Sequence, residues 1–276
     1  MFKAKLQTSY QNLTQSERMI ADYILEHLDE LKTVTSHQLA NLTNTGQSTI
    51  IRFSQKLGYN SFREFLADIS MNKINENDSY EEIRIAETTT ETNRKIVAQY
   101  KDILEITLNN NSESTINHIC KLLVKSKKII IFGVGNSNLF CEYLANQLIV
   151  IGLTCMTNQS SHSIFSIIDQ ANPKDTVLFL LSESGESVDV IKAAQIAKNN
   201  HIPIIVITRN TKNTLYNYAN YLLKTVAFAA ETKLNVTTMR CSQLLLIDII
   251  YLNILKLDFK RFNKIIERAE ILVDRL

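Results

Sequence analysis

Two apolar runs, each followed by a turn of small residues, constrain the fold of this chain more than any other feature. The first reads K-K-I-I-I-F-G-V-G-N-S at 127–137, and the second reads V-L-F-L-L-S-E-S-G-E-S at 177–187. Runs of Ile, Val, Leu and Phe that alternate with helical segments are typical of buried strands in a parallel sheet. Ligands of such sheets bind at the carboxyl ends of the strands. The sequence therefore predicts an α/β domain whose ligand site is formed by these turns.

Three further short apolar segments extend the prediction to a five-stranded parallel sheet. The predicted strands are 128–132, 153–156, 177–181, 204–208 and 221–223. A helix over 114–126 leads into the first strand, and another over 139–151 follows it. An apolar helix over 241–257 and a basic amphipathic helix over 259–276 close the chain. The long apolar run of the former suits a subunit interface.

The second turn, Ser182-Glu183-Ser184-Gly185-Glu186-Ser187, carries the strongest chemical signal. Serine hydroxyls and the backbone N–H groups at the start of a helix can bind a phosphate monoester without Lys or Arg. Gly185 would let the backbone approach a ligand closely. The first turn adds the amide of Asn136 and the hydroxyl of Ser137. Helix capping alone explains one such turn equally well, but two turns at neighbouring strand ends favour a ligand site.

The first turn is not a dinucleotide-binding fingerprint. Gly133 and Gly135 supply the first two glycines of G-x-G-x-x-G, but Asn138 stands where the third is required. No acidic residue follows a suitable second strand to bind a ribose. We therefore expect no nucleotide cofactor at this site, and a phosphate monoester on a sugar becomes the favoured ligand.

The N-terminal residues have the spacing of a helix-turn-helix. Helices are predicted over 13–31, 35–43 and 47–58. Thr14 and Glu17 form a capping-box pattern at the start of the first helix. The turn between the second and third helices is short and contains Gly46, as a helix-turn-helix requires. Spacing alone does not separate this arrangement from an ordinary helical bundle whose polar face is solvated.

In a helix-turn-helix the last of these helices enters the major groove of DNA. Its predicted inward face consists of Ile50, Ile51, Phe53 and Leu57. The residues left to face DNA are Gln47, Ser48, Thr49, Arg52, Gln55 and Lys56. Glutamine can pair with adenine, arginine with guanine or phosphate, and serine or threonine with bases or backbone.

Charge and cysteine content bear on partners and location. The net charge of +2 does not by itself indicate a nucleic-acid binder, so DNA contact would depend on a few well-placed basic groups. The four cysteines lie in apolar surroundings without a C-x-x-C pair, which predicts buried free thiols, no metal site and a reducing cytosol. Residues 1–10 contain no apolar signal segment, and the most apolar run, 244–255, is about half a membrane span long. We expect a cytoplasmic protein without membrane contact.

A polar, charged segment separates the two halves of the chain. Residues 72–93 have no helical or strand periodicity, which predicts a linker, and an amphipathic helix resumes over 94–108. The predicted domains are therefore 1–75, 76–110 and 111–276. They correspond to a DNA-binding helix-turn-helix domain, a linker with a connecting helix, and a ligand-binding α/β domain.

Five motifs spread over nearly the whole chain resemble those of one family. The N-terminal motifs are L-T-Q-S-E-R-M-I-A-D-Y-I-L at 13–25, Q-L-A-N at 38–41 and S-T-I-I-R-F-S-Q-K-L-G-Y-N-S-F-R-E-F at 48–65. The others are I-F-G-V-G-N-S at 131–137 and L-S-E-S-G-E-S at 181–187. Together they resemble the RpiR/MurR family of bacterial transcriptional regulators. The resemblance implies an all-α helix-turn-helix domain followed by a sugar isomerase (SIS) domain, which is a three-layer α/β/α sandwich.

The resemblance also implies a phosphosugar effector and a roughly palindromic double-stranded DNA operator, bound by a homodimer or tetramer. The phosphate-binding hydroxyls it implies are Ser137, Ser182, Ser184 and Ser187, with Asn136 as a neighbour. We add Glu183, which lies within the same turn, to the predicted phosphosugar site. Two residues depart from the family pattern. Gly46 replaces the usual serine at the cap of the recognition helix, at a cost of a few tenths of a kcal/mol. Glu183 puts an acidic residue beside the proposed phosphate site, and unless its side chain points away it would disfavour a dianion.

The predicted function is a sugar-phosphate-responsive transcriptional regulator that is not an enzyme. The alternative is a SIS-type phosphosugar isomerase or lyase, which needs a general base near the sugar. The available acids and bases are Glu183, Glu186, Glu231, His162 and His201, and no motif places any of them for catalysis. A phosphosugar-binding scaffold without DNA activity is a third alternative. We expect no catalytic residues, no metal and no cofactor.

Overall fold

A computed structural model describes residues 2–27, 31, 34–71, 83, 85–226 and 237–273. The chain divides into two units, Met1–Asn110 with Val226–Met239 and Asn111–Thr225 with Arg240–Leu276. In the described part of the chain, no helix is both long enough and apolar enough to cross a membrane.

The described residues of the first unit form helices. The helices that precede residue 111 are α1 (Phe2–Ser9), α2 (Gln15–Glu26), α3 (Ser36–Leu42), α4 (Gln47–Lys56), α5 (Phe62–Met71) and α6 (Thr89–Asn109). The predicted capping box starts α2, because Thr14 Oγ1 accepts from Glu17 N–H and the Glu17 carboxylate accepts from Thr14 N–H. The buried side chains of α1 to α5 form one core, built around Ile20, Phe53 and Phe65. The all-α N-terminal domain is confirmed.

The connecting helix begins earlier than its apolar periodicity predicts. A capping box of Thr88 and Glu91 starts α6 at Thr89, five residues before the predicted position 94. The first turn of α6 is polar and exposed, so hydrophobic spacing gives no signal there. Most of the predicted linker, residues 72–82 and 84, lies outside the described residues.

The second unit contains the predicted five-stranded parallel sheet. Its strands are β1 (Lys128–Phe132), β2 (Cys155–Thr157), β3 (Thr176–Leu181), β4 (Ile204–Arg209) and β5 (Tyr221–Thr225). They lie in the order β2-β1-β3-β4-β5, and every neighbouring pair is parallel. All six residues of β3 are buried, as expected for the central strand of a sheet covered on both faces.

Helices cover both faces of this sheet. On one face, alternate residues such as Ile129 and Ile131 pack against α7 (Glu113–Lys125), α8 (Asn136–Val150), α11 (Thr237–Leu257) and α12 (Phe259–Val273). On the other face, Ile130 and Phe132 pack against α9 (Ser161–Asp169) and α10 (Val188–Asn199). The three-layer α/β/α arrangement is therefore confirmed. All four cysteines are free; Cys120 and Cys141 are buried, whereas Cys155 and Cys241 are half-buried.

Candidate ligand site and nucleic-acid interface

Residues Ser182–Ser187, which we call the serine turn, connect the end of β3 to the start of α10. Ser182 directly follows the buried strand and is only 2% exposed. Its Oγ accepts a hydrogen bond from Gly185 N–H at 3.2 Å and lies 3.2 Å from Ser187 Oγ. Ser187 is the N-cap of α10 but makes no side-chain capping bond. The turn thus brings two of the predicted hydroxyls together at a helix N-terminus.

Ser184 has a different place in the turn. Its side chain is half-buried, and its Oγ accepts a hydrogen bond from Glu186 N–H at 3.1 Å. A hydroxyl that accepts one hydrogen bond still has its own proton to donate. Ser184 therefore stabilises the turn and also keeps a donor for a ligand.

A neighbouring side chain leaves no room for a Cβ at position 185, so glycine is needed there. Its φ is +69°, in the left-handed region that favours glycine, and a Cβ here would lie 2.1 Å from Cγ of Asn213. The sequence suggested that Gly185 allows a ligand to approach. What lies against it in the structure is the Asn213 carboxamide, whose Nδ2 donates to Thr208 Oγ1 at 3.1 Å and to the Thr211 carbonyl at 3.0 Å.

Asn213 belongs to a segment, Thr208–Thr214, that holds the serine turn from outside; we call it the clasp. The carbonyl of Glu183 accepts hydrogen bonds from Thr208 Oγ1 at 3.4 Å, Arg209 N–H at 3.3 Å and Arg209 Nε at 3.1 Å. The carboxylate of Glu186 accepts from Thr214 N–H at 2.7 Å and from its hydroxyl at 2.6 Å. These two hydrogen bonds hold the pKa of Glu186 below its usual range.

Sequence reasoning missed the clasp. Its only signal is that T-R-N-T-K-N-T follows the β4 strand end and is rich in turn-forming and hydrogen-bonding side chains. That pattern is common in loops, and its partners lie about 25 residues earlier in the chain. Local patterns therefore could not reveal which turn these side chains would hold.

The clasp also changes the electrostatic setting of Glu183. The carboxylate Oε1 of Glu183 lies 3.7 Å from the guanidinium of Arg209, and the two side chains are 48% and 38% exposed. The negative charge that looked unfavourable beside a phosphate is thus partly compensated by a cation at the rim of the turn.

The turn that follows β1, residues 133–137, lies directly beside the serine turn. A Cβ at Gly133 would lie 2.7 Å from the carbonyl oxygen of Leu181 and 2.9 Å from Sγ of Cys141, so only glycine allows this approach. Ser137, in the first turn of α8, is 8% exposed, whereas Asn136 is exposed. The structure therefore brings the two predicted turns together, with Ser137 at the start of one helix and Ser187 at the start of the next.

In the N-terminal unit, α3 and α4 are joined by a tight turn. Asn44 has a φ of 51°, which reverses the chain, and Thr45 N–H donates to the Ala40 carbonyl at 2.8 Å. Thr43 Oγ1 donates to the Leu39 carbonyl at 2.8 Å. Gly46 then caps α4 with extended backbone and no side-chain bond. Two short helices joined by such a turn form a helix-turn-helix.

The faces of α4 differ from the prediction at one residue. Ile50, Phe53, Ser54 and Leu57 are buried, which is the i, i+3, i+4, i+7 pattern of one helix face. Ile51 was predicted to face inward, but it is 38% exposed because it lies about 100° around the helix from Ile50.

Of the predicted DNA-facing residues, Ser48, Arg52 and Gln55 lie on the side of α4 opposite its buried face, and Gln47 and Thr49 lie on its flanks. Gln47, Ser48, Arg52 and Gln55 are exposed, and Thr49 is half-buried. Gln47 Nε2 donates to Ser36 Oγ at 3.0 Å. These side chains therefore form one polar face that begins at the helix N-terminus.

Lys56 differs from the rest of that set because its ammonium group is bonded within the domain. Its Nζ lies 2.6 Å from the carboxylate of Glu17 and 2.7 Å from the carbonyl of Asn12. Burial alone would raise the pKa of Glu17, but hydrogen bonds from Lys56 and Thr14 outweigh it and lower the pKa. Lys56 thus ties the end of α4 to the start of α2.

Comparison with known proteins agrees with this geometry. Residues 1–76 match the model for the helix-turn-helix domain of the rpiR family, and residues 122–252 match the SIS domain. The chain is 26% identical over 277 residues to the uncharacterized HTH-type transcriptional regulator YfhH of Escherichia coli K12, covering 99% of this chain and 98% of that protein.

Solved structures share the fold. The Vibrio vulnificus NanR protein, complexed with ManNAc-6P, aligns with a TM-score of 0.62 at 21% identity, covering 100% of this chain and 99% of NanR. The sugar isomerase domain of an RpiR transcription factor from Sphaerobacter thermophilus aligns with a TM-score of 0.59 at 16% identity, covering 67% of this chain and 99% of that domain. The chain therefore joins an rpiR-type helix-turn-helix domain to a SIS domain and is similar over its whole length to an HTH-type transcriptional regulator.

Proposed function

We propose that this regulator senses a phosphosugar at the paired turns and binds operator DNA through α4. The observation that supports the ligand site is the position of Gly133, where a Cβ would lie 2.7 Å from the Leu181 carbonyl oxygen at the end of β3 and 3.1 Å from Ser137 Cβ. Two helix N-termini and several hydroxyls then surround one location at the carboxyl edge of the sheet. Such a location favours an anion with several acceptor oxygens.

The phosphate is bound by hydroxyl and backbone N–H donors. We assign the phosphate-binding role to Ser137, Ser182, Ser184 and Ser187, with Asn136 and Glu183 at the rim. Arg209 offsets the charge of Glu183, so the rim tolerates a dianion. The solved complex of NanR with ManNAc-6P supports a phosphosugar as the ligand class.

DNA contact uses the exposed face of α4. We assign base and phosphate contacts to Gln47, Ser48, Thr49, Arg52 and Gln55. Lys56 contributes only if its ammonium leaves Glu17, so it is the weakest member of the set. The domain division 1–75, 76–110 and 111–276 assigns operator binding to the first part and sensing to the last.

The positions and hydrogen bonds of the side chains that could act as a general base support a ligand sensor and not an enzyme. Both carboxylate oxygens of Glu186 are bonded to Thr214, which suits a structural role better than proton transfer. His201 precedes β4 and so lies at the edge opposite the strand ends that form the site. His162 is exposed in the first turn of α9, and Glu231 lies outside the described residues.

Regulation follows from linkage between the two sites. A ligand that binds one arrangement of a homodimer or tetramer more tightly shifts the population toward it. Two recognition helices must be about one DNA turn apart to bind a roughly palindromic operator, so a small rotation changes affinity. The protein would work in the cytoplasm, where its DNA and phosphosugars meet.

The test is a footprint on DNA flanking the gene, with and without a panel of phosphosugars. Arg52→Ala should weaken specific binding about tenfold or more, because a good arginine–guanine contact contributes about 1–3 kcal/mol. Arg63→Ala, an exposed arginine on α5, is the matched control and should change affinity much less. Absence of any specific protection would refute the proposed DNA binding.

Ser182→Ala tests the proposed phosphosugar site. It should abolish the effect of phosphosugars on operator binding while basal DNA binding remains. Turnover of a phosphosugar by the purified protein would instead favour an isomerase or lyase.

A further inference from the structure

A second polar cluster lies beside the proposed phosphate site and has no role in it. It consists of Asn138, Glu142, Thr157 and Gln159, and we call it the Asn138 cluster. Asn138 follows Ser137 directly in the first turn of α8, and Thr157 ends β2. In the sheet, β1 separates β2 from β3, so the cluster lies about two strand spacings, or about 10 Å, from the serine turn.

Asn138 and Gln159 are joined to Glu142 by hydrogen bonds to one carboxylate oxygen, whereas Thr157 belongs to the cluster by its position at the end of β2. Glu142 Oε1 accepts from Asn138 Nδ2 at 2.7 Å and from Gln159 Nε2 at 3.2 Å. No ion pair joins Glu142 to a Lys or Arg within the described chain. Its negative charge is therefore compensated only by neutral amide donors, although the side chain is half-buried.

Two further oxygen atoms of the cluster are buried without a hydrogen-bond partner among the described residues. One is Asn138 Oδ1, in a residue that is 8% exposed, and the other is Thr157 Oγ1. Thr157 lies beside Ile131 in register and on the same strand face as Cys155, which packs toward α8. Asn138 lies in the first turn of α8, and α8 packs beside β2, so both oxygens lie where this helix meets the strand. Buried polar atoms are rarely left unpaired, so a partner is expected here.

The atoms available determine what that partner is. The amide and carboxylate oxygens can only accept hydrogen bonds, and the carboxylate adds a negative charge. A divalent metal ion would need more anionic ligands, and no group of three or more His, Cys, Asp or Glu suited to a metal is present in the described residues. A protonated amine has several donors and one positive charge, and it matches this set.

We propose that the Asn138 cluster is a subsite for the protonated amino group of an amino-sugar phosphate. The inference rests on the proposed phosphosugar function, because the phosphate must bind at the serine turn for the amine to reach the cluster. The ligand then carries opposite charges at its two ends, each beside a complementary part of the protein. The pairing of Glu142 with an amine makes the cluster the determinant of ligand specificity.

The test compares sugar phosphates that differ only in one amine. Calorimetry on the full chain would use the 6-phosphates of glucose and glucosamine, galactose and galactosamine, and mannose and mannosamine. In at least one pair the amino sugar should bind about tenfold more tightly, the value expected for one charged hydrogen bond. In Glu142→Gln, whose amide oxygen can still accept from Asn138 and Gln159, that ratio should fall to about one.

Two other variants separate recognition from folding. Asp169→Asn makes the same chemical change at an exposed position before β3 and should keep the preference. Thr157→Val removes a buried hydroxyl at constant shape; it should weaken amino-sugar binding without lowering the melting temperature. A purely structural hydroxyl would leave binding unchanged.

The outcomes distinguish the inference from the proposed function. Equal binding of both members of every pair, or a preference that survives in Glu142→Gln, overturns the subsite and leaves phosphosugar sensing intact. If neither the sugar phosphates nor inorganic phosphate bind, the proposed function fails and the subsite fails with it.

Discussion

Ser182 and Glu183 are neighbours in the chain, yet their side chains lie in opposite environments. Ser182 is 2% exposed at the end of the buried strand β3, whereas the Glu183 side chain is 48% exposed. The difference arises because Ser182 directly follows the buried strand β3, whereas Glu183 already lies in the exposed bend that follows it. One residue thus offers a buried hydroxyl to the site, and the next puts a carboxylate at its rim.

Removing that carboxylate should strengthen ligand binding. Glu183→Gln eliminates a negative charge near the proposed phosphate and leaves Arg209 with an uncompensated positive charge. Because the pair is exposed, we expect a modest gain in affinity for inorganic phosphate or a phosphosugar, about twofold to fivefold. Calorimetry at low and high salt should show the gain shrinking as salt increases. A loss of affinity would mean that Glu183 itself binds the sugar.

At this scale the sequence predicted the types of residue but not all of their partners. The hydroxyls of Ser182 and Ser187 lie together, as the sequence suggested. The pairing of Glu183 with Arg209 and of Gly185 with Asn213 was not predictable, since each joins residues more than 20 positions apart. No local period or spacing encodes such contacts.

At the scale of elements, starts and ends of helices were predictable where a side chain marks them. Thr14 and Glu17 form the expected capping box. The box of Thr88 and Glu91 was missed because apolar spacing begins only later in α6. The strands β1, β3 and β4 were predictable because their apolar runs are almost entirely buried. The outer strands β2 and β5 are only partly buried, so their predicted bounds differ more from the observed ones.

We expect the Asn213 side chain of the clasp to restrain the serine turn, and Gly185→Ala tests this. The change forces an alanine to adopt the left-handed φ of Gly185, and its methyl group would clash with the Asn213 carboxamide. Gly135→Ala is the matched control, because Gly135 also has a positive φ, +60°, but nothing lies within 4 Å of its Cβ position. Both substitutions strain the backbone, and Gly135→Ala does so outside the left-handed helical region because ψ is −131° there. The clash adds about 1–3 kcal/mol at Gly185 only.

Hydrogen exchange measures the effect locally. Amides of Ser182–Ser187 should exchange faster in Gly185→Ala than in Gly135→Ala. The double variant Gly185→Ala with Asn213→Ala should recover part of the protection, since it removes the clash. Equal exchange in the two single variants would show that Asn213 does not restrain the turn.

At the scale of the whole molecule, a regulator with a helix-turn-helix domain and a SIS domain can couple operator binding to ligand binding through a free energy. If a phosphosugar changes operator affinity by some factor, operator DNA must change phosphosugar affinity by the same factor. We therefore expect calorimetry with and without an operator duplex to reproduce the factor measured by footprinting with and without the sugar. Ser182→Ala should remove both effects together. Unequal factors would mean that a third component binds in one of the experiments.

The clasp has a consequence for the order in which the protein becomes functional during its synthesis. The serines proposed to bind phosphate are all translated by residue 187, but the hydrogen bonds that hold their turn come from Thr208–Thr214. A chain emerging from the ribosome therefore has a helix-turn-helix domain able to fold long before its sensor can. The DNA-binding domain of a nascent chain is therefore complete before the hydrogen bonds that hold the sensor turn can form.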